Sequence, residues 1–495
     1  MFLCINFPAN SAAVNLAFFI ARRTAQHTPD NKPGVMERIA VISVALSVAV
    51  MLLAMAGIAG AEVKTPTGTI TVNKLDANES VDLYQVIRIV YDGTHNQYNN
   101  AEWTKMLSGW DKIENLNPED APKDDKSGSK AFYEGMFAYV MNQKVTPTAT
   151  QKAAKTENGE YSATFTGCEA GSYLIVVHGG AKIHQPYLTS LMPKEEASGW
   201  TLSASVDASQ KAEMPRLTKE AKKKDIGVTT RVTFEITTTI PKYAEGTKDI
   251  TYWISDQMDS RLQYDEKSLK VKKGETDITG QDAYKVLPYD RTVSEGKTGL
   301  FKLVFDYEEI KDADKITVTY DAIGTENIKV GEGHENEATF EWTSGSDSKT
   351  DKVYTYGLKV IKKDGRDQNK LLKDVEFNLK GQGGAVLKFE KTGNVYKPSA
   401  SENASETLVT DENGLIQIDG LALGDYTLVE TKAQENYHKV SPVTFTLAAD
   451  SDKPEQLAKD ADAYYEIDVL NYKGIQLPST GGMGTTIFMV AGIGV

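Results

Sequence analysis

The sequence predicts an all-β chain, built as a tandem of β-sandwich domains with a helical insertion in the first. Three observations lead there. Apolar and polar residues alternate at period two through many short segments, the signature of half-buried strands. Only one segment carries a helical stripe of comparable quality. A weak internal repeat is also present. Gly171-Ser172-Tyr173-Leu174-Ile175-Val176-Val177 echoes Gly424–Glu430, and Lys74-Leu75-Asp76 echoes Lys362-Lys363-Asp364.

The 495 residues give room for about three domains of ordinary size. A net charge of −14 argues against a nucleic-acid partner and suits an exposed, soluble surface. Residues 1–35 are expected to be an upstream extension, because Met36-Glu37-Arg38 is the more natural start. Ile39 to Ile58 is almost uninterruptedly apolar and ends in Ala59-Gly60-Ala61, a small-x-small cleavage pattern. Residues 36–61 therefore read as a signal peptide, with a retained membrane anchor as the alternative. Of the two cysteines, Cys4 lies upstream of that cut and Cys168 remains, so the mature chain has no internal disulfide. An exported chain without disulfides needs another way to stabilise its domains.

The first domain is expected over residues 62–212. Thr69-Ile70-Thr71-Val72-Asn73 alternates as a strand, and Phe132, Met136, Phe137, Val140 and Met141 predict a helix over 129–143 packed on a sheet. The second domain, 213–350, contains Val232, Phe234, Ile236 and Ile240 on one strand face. Ile316, Val318 and Tyr320 repeat the pattern, as do Ala338, Phe340 and Trp342. The Gly/Ser/Asp/Lys stretch around 344–352 reads as a linker. The third domain, 351–474, opens with Leu358-Lys359-Val360-Ile361-Lys362 and includes Asn413-Gly414, a strong hairpin-turn signal.

Strand parity exposes the chemistry, because side chains two residues apart share a face. Leu217 and Ala221 bracket Lys219; Tyr252 and Ile254 precede Asp256; Asn336 shares parity with Ala338. Likewise Leu358 and Val360 carry Lys362 inward, Tyr426 and Leu428 carry Glu430, and Ile467 and Val469 carry Asn471. The second and third domains thus each direct a lysine, a carboxylic acid and an asparagine into the core. A lone buried charge is costly. One solution is a buried ion pair capped by an amide. The other is an intramolecular isopeptide bond: burial favours the neutral amine and the protonated acid, the acid polarises the Asn carbonyl, and the amine attacks and expels ammonia. In the first domain Lys74 has inward parity, but Val177 stands where the acid would be, and no bond is expected.

These residues carry a resemblance. Lys362, Glu430-Thr431-Lys432-Ala433 with Tyr437, and Asn471-Tyr472-Lys473-Gly474 resemble an Ig-like Cna B-type domain. The wider pattern resembles isopeptide-forming, SpaA-like shaft pilins of Gram-positive bacteria: Gly68-Thr69-Ile70-Thr71-Val72, Thr238-Thr239-Ile240-Pro241-Lys242-Tyr243, Ser255-Asp256 and Glu335-Asn336-Glu337-Ala338. Near the end, Leu477-Pro478-Ser479-Thr480-Gly481 resembles the cell-wall sorting signal of that class, within a 475–495 segment whose apolar tail is expected to be cut short.

The resemblance implies a secreted, wall-anchored pilus subunit whose Thr480 a sortase joins to another subunit or to peptidoglycan, supporting surface adhesion. It implies Lys219–Asn336 with Asp256, and Lys362–Asn471 with Glu430, as cross-linked sets. Partners would be sortase, other pilin subunits (minor pilins included), peptidoglycan and an unidentified surface receptor. In such pilins the subunit-linking lysine follows a Trp near the end of the first domain. Here Trp200 and Val206 fit that pattern, the usual Tyr-Pro-Lys-Asn has become Asp207-Ala208-Ser209-Gln210, and the candidate amine is Lys211. Leu202, Ala204, Val206 and Ala208 as an inner face would put Lys211 on the polar face. A wall-anchored adhesin or minor pilin, not polymerised as a shaft, is the alternative. An enzyme acting on outside substrates, a metal site and a cofactor are not expected. His178 and His184 near Cys168 lack catalytic or ligand spacing, and Asp306–Asp314 lacks Ca²⁺-loop spacing.

Overall fold

The computed structural model describes residues 64–121, 130–459 and 462–474. The expected extension, signal peptide and sorting signal lie outside the described residues.

The first unit pairs two sheets. One runs in the order Ser203–Asp207, Gly68–Leu75, Tyr161–Cys168, Ala154–Lys155; the other Gln97–Trp103, Ser80–Asp92, Gly171–His178, Tyr187–Leu191. Ile70, Val72, Val81, Leu83, Phe165 and Ile175 fill the space between them. The strand Ser80–Asp92 is apolar on both faces, because its outer residues Tyr84 and Val86 pack under the helix Lys130–Asn142. Tyr133, Met136, Phe137 and Val140 form the buried stripe of that helix. Met136, Phe137 and Val140 lie where the sequence puts them, but the flanking Phe132 and Met141 are only half-buried, and Tyr133 completes the stripe instead.

The second unit is a sandwich of two five-stranded antiparallel sheets. The first has the order Leu217–Ala221, Arg231–Thr239, Lys315–Gly324, Leu262–Lys273, Thr276–Asp277; the second Tyr284–Leu287, Lys297–Phe305, Tyr252–Asp259, Gly333–Trp342, Gly345–Tyr354. The last strand corrects the expected linker. Residues 345–354 pair along their whole length with 333–342, from Trp342↔Gly345 to Gly333↔Tyr354. Their polar composition reflects an edge strand wetted on one side, where charged side chains are favoured.

The third unit sets Phe389–Thr392, Val395–Pro398, Leu415–Leu421, Tyr356–Asp364 and Tyr464–Asn471 against Leu408–Val409, Glu376–Lys380, Gly424–Lys432 and Val443–Leu447. Its first and last strands are parallel neighbours, with Lys362 opposite Val469 and Asp364 opposite Asn471. Asn413-Gly414 does form a turn, but the strands it joins, Leu408–Val409 and Leu415–Leu421, belong to different sheets. The Gly414 φ of +64° suits glycine, and a Cβ there would come within 2.8 Å of the Lys362 carbonyl oxygen.

Adjacent units are joined by specific contacts. Trp342 Nε1 donates to Ala181 O at 2.8 Å, and Ala244 packs into the cluster beneath the helix of the first unit. Between the second and third, Val228 N donates to Gly420 O at 2.8 Å and Leu423 N to Asp225 Oδ2 at 3.1 Å.

Candidate functional site

In the second unit, Lys219 projects from the opening strand of one sheet, while Asp256 and Asn336 project from neighbouring strands of the facing sheet. Asn336 pairs with Met258, so it sits diagonally across from Asp256 on the same face. All three are buried, and the Lys219 and Asp256 side chains are 0 % exposed. Lys219 Nζ donates to Asp256 Oδ2 and, at 2.6 Å, to the Tyr320 hydroxyl. Burial pushes the lysine amine down and the Asp256 carboxyl up, to about 6, each opposed by the attraction of the other. Both shifts favour moving the proton from the ammonium to the carboxylate.

Tyr320 is the residue that sequence reasoning passed over. Its hydroxyl also accepts from Asn336 Nδ2 at 2.7 Å and donates to Asp256 Oδ1 at 2.8 Å, with Asn336 Oδ1 3.1 Å away. A signal was available. Tyr320 shares inward parity with Ile316 and Val318, and a tyrosine hydroxyl forced into a core must find polar partners there. The neighbouring amines do not compete for the site. Lys222, Lys223 and Lys224 lie on the surface, paired with Glu235, Asp225 and Asp351.

In the third unit, Lys362 and Asn471 lie on the parallel first and last strands, and Glu430 faces them from the other sheet. Lys362 and Asn471 are 0 % exposed and Glu430 is 5 % exposed. Asn471 Nδ2 donates to Glu430 Oε1 at 2.6 Å, and Lys362 Nζ donates to Val469 O at 2.9 Å. Asn471 Oδ1 is buried without a hydrogen-bond partner among the described residues. Burial pushes the Lys362 amine down to about 8, against the pull of Glu430 and Asp364. A buried, partly deprotonated amine beside a carboxamide held by an acid is a geometry suited to acyl transfer. The backbone around the amine is pinned, since Lys362 N donates to Gly414 O at 2.8 Å and Leu372 N to Lys362 O at 2.8 Å.

Two expectations in the first unit need correction. Lys74 does not point inward. A register shift between Asn73 and Leu75, with φ +57° at Lys74, turns its side chain to solvent, where it pairs with Asp207 at 2.5 Å. Nor does Lys211 stand on a polar strand face. The strand stops at Asp207, and Ala208–Lys211 is a 3₁₀ turn in which period-two counting fails. Lys211 is half-buried near the junction with the second unit, donating to the Tyr133 hydroxyl at 2.9 Å and lying over its ring. The turn itself hangs on His184, whose Nδ1 donates to Ala208 O at 3.2 Å while Nε2 lies 2.7 Å from Glu79 Oε1. His184 and Glu79 are fully enclosed and act as a structural pair.

Comparison with known proteins agrees with this architecture. Residues 357–461 match the SpaA prealbumin-like fold domain. A comparison with curated protein sequences gives no significant match. Among solved structures, the T6 backbone pilin of serotype M6 Streptococcus pyogenes, described as a modular three-domain structure, aligns over 83% of this chain and 99% of its own. The TM-score is 0.54 at 15% identity. The full-length major pilin SpaD of Corynebacterium diphtheriae aligns over 83% and 98%, with TM-score 0.47 and 19% identity. BcpA, the major pilin subunit of Bacillus cereus, aligns over 83% and 100%, with TM-score 0.43 and 17% identity. Residues 357–461 thus match the SpaA prealbumin-like fold domain, and the aligned 83% of the chain shares the modular three-domain fold of the T6 structure.

Proposed function

We propose that this chain is a structural pilus subunit, exported and joined by a sortase through Thr480 to a neighbouring subunit or the cell wall. Two self-formed isopeptide bonds, Lys219–Asn336 and Lys362–Asn471, stabilise it. The observation that carries this reading is the repetition of one buried lysine, acid and asparagine set in two units with different strand topologies. A buried ion pair alone would not need the amide, and in both sets the amide is held by hydrogen bonds inside the cluster. The acids Asp256 and Glu430 serve the bond-forming step within their own chain, which acts on no outside substrate. The fold likeness to a streptococcal backbone pilin supports a shaft subunit. Lys211 would supply the amine for polymerisation from its place near the junction of the first two units.

The half-burial of Lys211 favours a second reading, in which the chain is a wall-anchored adhesin or minor pilin attached singly. Intact mass of the purified chain tests the central claim. It should be lower than the sequence mass by two ammonias, with cross-linked peptides joining Lys219 to Asn336 and Lys362 to Asn471. An unreduced mass in folded protein would leave both sets unbonded and remove the isopeptide reading.

A further inference from the structure

The two clusters are wired differently. In the third unit the acid touches the amide directly, through Asn471 Nδ2 and Glu430 Oε1. In the second, Asp256 makes no hydrogen bond to Asn336 among the described residues, and the Tyr320 hydroxyl stands between them with the amine also in reach. Packing alone does not call for that hydroxyl. The Tyr320 ring lies among Phe234, Tyr264 and Phe301, with centroids 6.0, 5.4 and 5.4 Å away, and a phenylalanine would fill the same space without burying a polar atom.

We propose that Tyr320 is a catalytic residue of the second unit, relaying the proton between Asp256 and the Asn336 amide during bond formation. This rests on the isopeptide reading above. The step starts from neutral Lys219, protonated Asp256 and the Tyr320 phenol. The Lys219 nitrogen attacks Asn336 Cγ, and the new oxyanion at Oδ1 accepts a hydrogen bond from the Tyr320 hydroxyl. A proton then passes from Nζ to Asp256 Oδ2, another from Asp256 Oδ1 to the Tyr320 oxygen, and the phenolic proton to Asn336 Nδ2. The Cγ–Nδ2 bond breaks, the carbonyl re-forms, and one ammonia leaves. Asp256 and Tyr320 end in the protonation states in which they began. Burial holds the phenol well above its ordinary range, so it serves as a neutral relay rather than a phenolate.

The test follows intact mass over time in full-length chain made by cell-free synthesis. Tyr320→Phe should lose one ammonia promptly, from the third unit, and close the second bond at least ~100-fold more slowly than the parent. Closure of both bonds at the parental rate would overturn the relay. A parent that loses no ammonia would instead overturn the isopeptide reading itself, so the two failures are distinct. A second variant keeps ring and hydroxyl: a fluorinated tyrosine at position 320 makes the phenol a stronger acid. Second-bond closure should change in rate several-fold while the third unit closes at the parental rate, and an unchanged second-bond rate would assign Tyr320 to packing and overturn the proposal.

Discussion

Glu430→Gln offers the cleanest measure of what the proposed third-unit bond contributes. The substitution keeps the volume and removes the acid that sits on Asn471 Nδ2. Two effects then add. A covalent tie from Lys362 to Asn471 closes a loop of roughly 100 residues, and losing it costs about 4–5 kcal/mol in chain entropy. The amine left behind is buried and held down at about 8 from 10.5 with Glu430 present, and lower without its charge. Keeping it there at neutral pH costs about 3 kcal/mol more. Together these approach half or more of an ordinary domain's stability, about 5–15 kcal/mol. The melting temperature of the third unit should fall by something on the order of 20–30 °C. Calorimetry on protein whose mass retains one extra ammonia reads this directly.

The pH dependence has a definite sign. Between the variant's folded value, which lies below 8 without the Glu430 charge, and the unfolded 10.5, the unfolded chain binds more protons, so the variant gains stability as pH rises through that window. Below it the penalty is complete. The parent has no titrating amine there and shows no such gain. An unbonded variant that melts within about 5 °C of the parent would refute the reasoning.

The other predictions concern the first unit and the linking chemistry. Lys211→Ala should abolish high-mass polymers while single subunits still reach the wall through Thr480; tandem mass spectrometry showing Thr480 joined to Lys219 or another lysine would remove Lys211 from the mechanism. His184→Ala leaves the enclosed Glu79 side chain with the Asp76 N–H but without its imidazole partner. It should destabilise the first unit by about 3–5 kcal/mol in denaturant unfolding, and a change within error would overturn the pair's structural role.

Strand parity made most of the candidate site legible. Lys219, Asp256, Asn336, Lys362, Glu430 and Asn471 lie on strands, where side chains alternate between faces, and all six are buried. Parity failed where the backbone leaves the extended form, at the bulge carrying Lys74 and the 3₁₀ turn carrying Lys211. Tyr320 was hidden for another reason. An inward aromatic reads as core by default; its hydroxyl signals that polar partners must exist, and only the positions of its neighbours identify them. The strand Gly345–Tyr354 was missed because an edge strand exposed to water has a linker's composition. Asp256 and Asn336 shared a face on paper, but their diagonal offset and the hydroxyl bridging it depend on register, which parity does not supply.

The parallel pairing of Tyr356–Asp364 with Tyr464–Asn471 has a mechanical consequence. A chain pulled from its two ends enters this unit at the start of the first strand and leaves at the end of the last. Because the strands run the same way, the pull loads their hydrogen bonds in shear, all rungs together, rather than unzipping them one by one. With Lys362 joined to Asn471, the force crosses between the strands within seven residues of its entry at Tyr356, and residues 363–470 drop out of the loaded path. That unit would transmit tension without lengthening. In the second unit the proposed tie would end at Asn336, one strand short of the exit, so Gly345–Tyr354 would still carry load through its ladder with Gly333–Trp342. Any give in the stretched molecule belongs first to that hairpin and to the untied first unit.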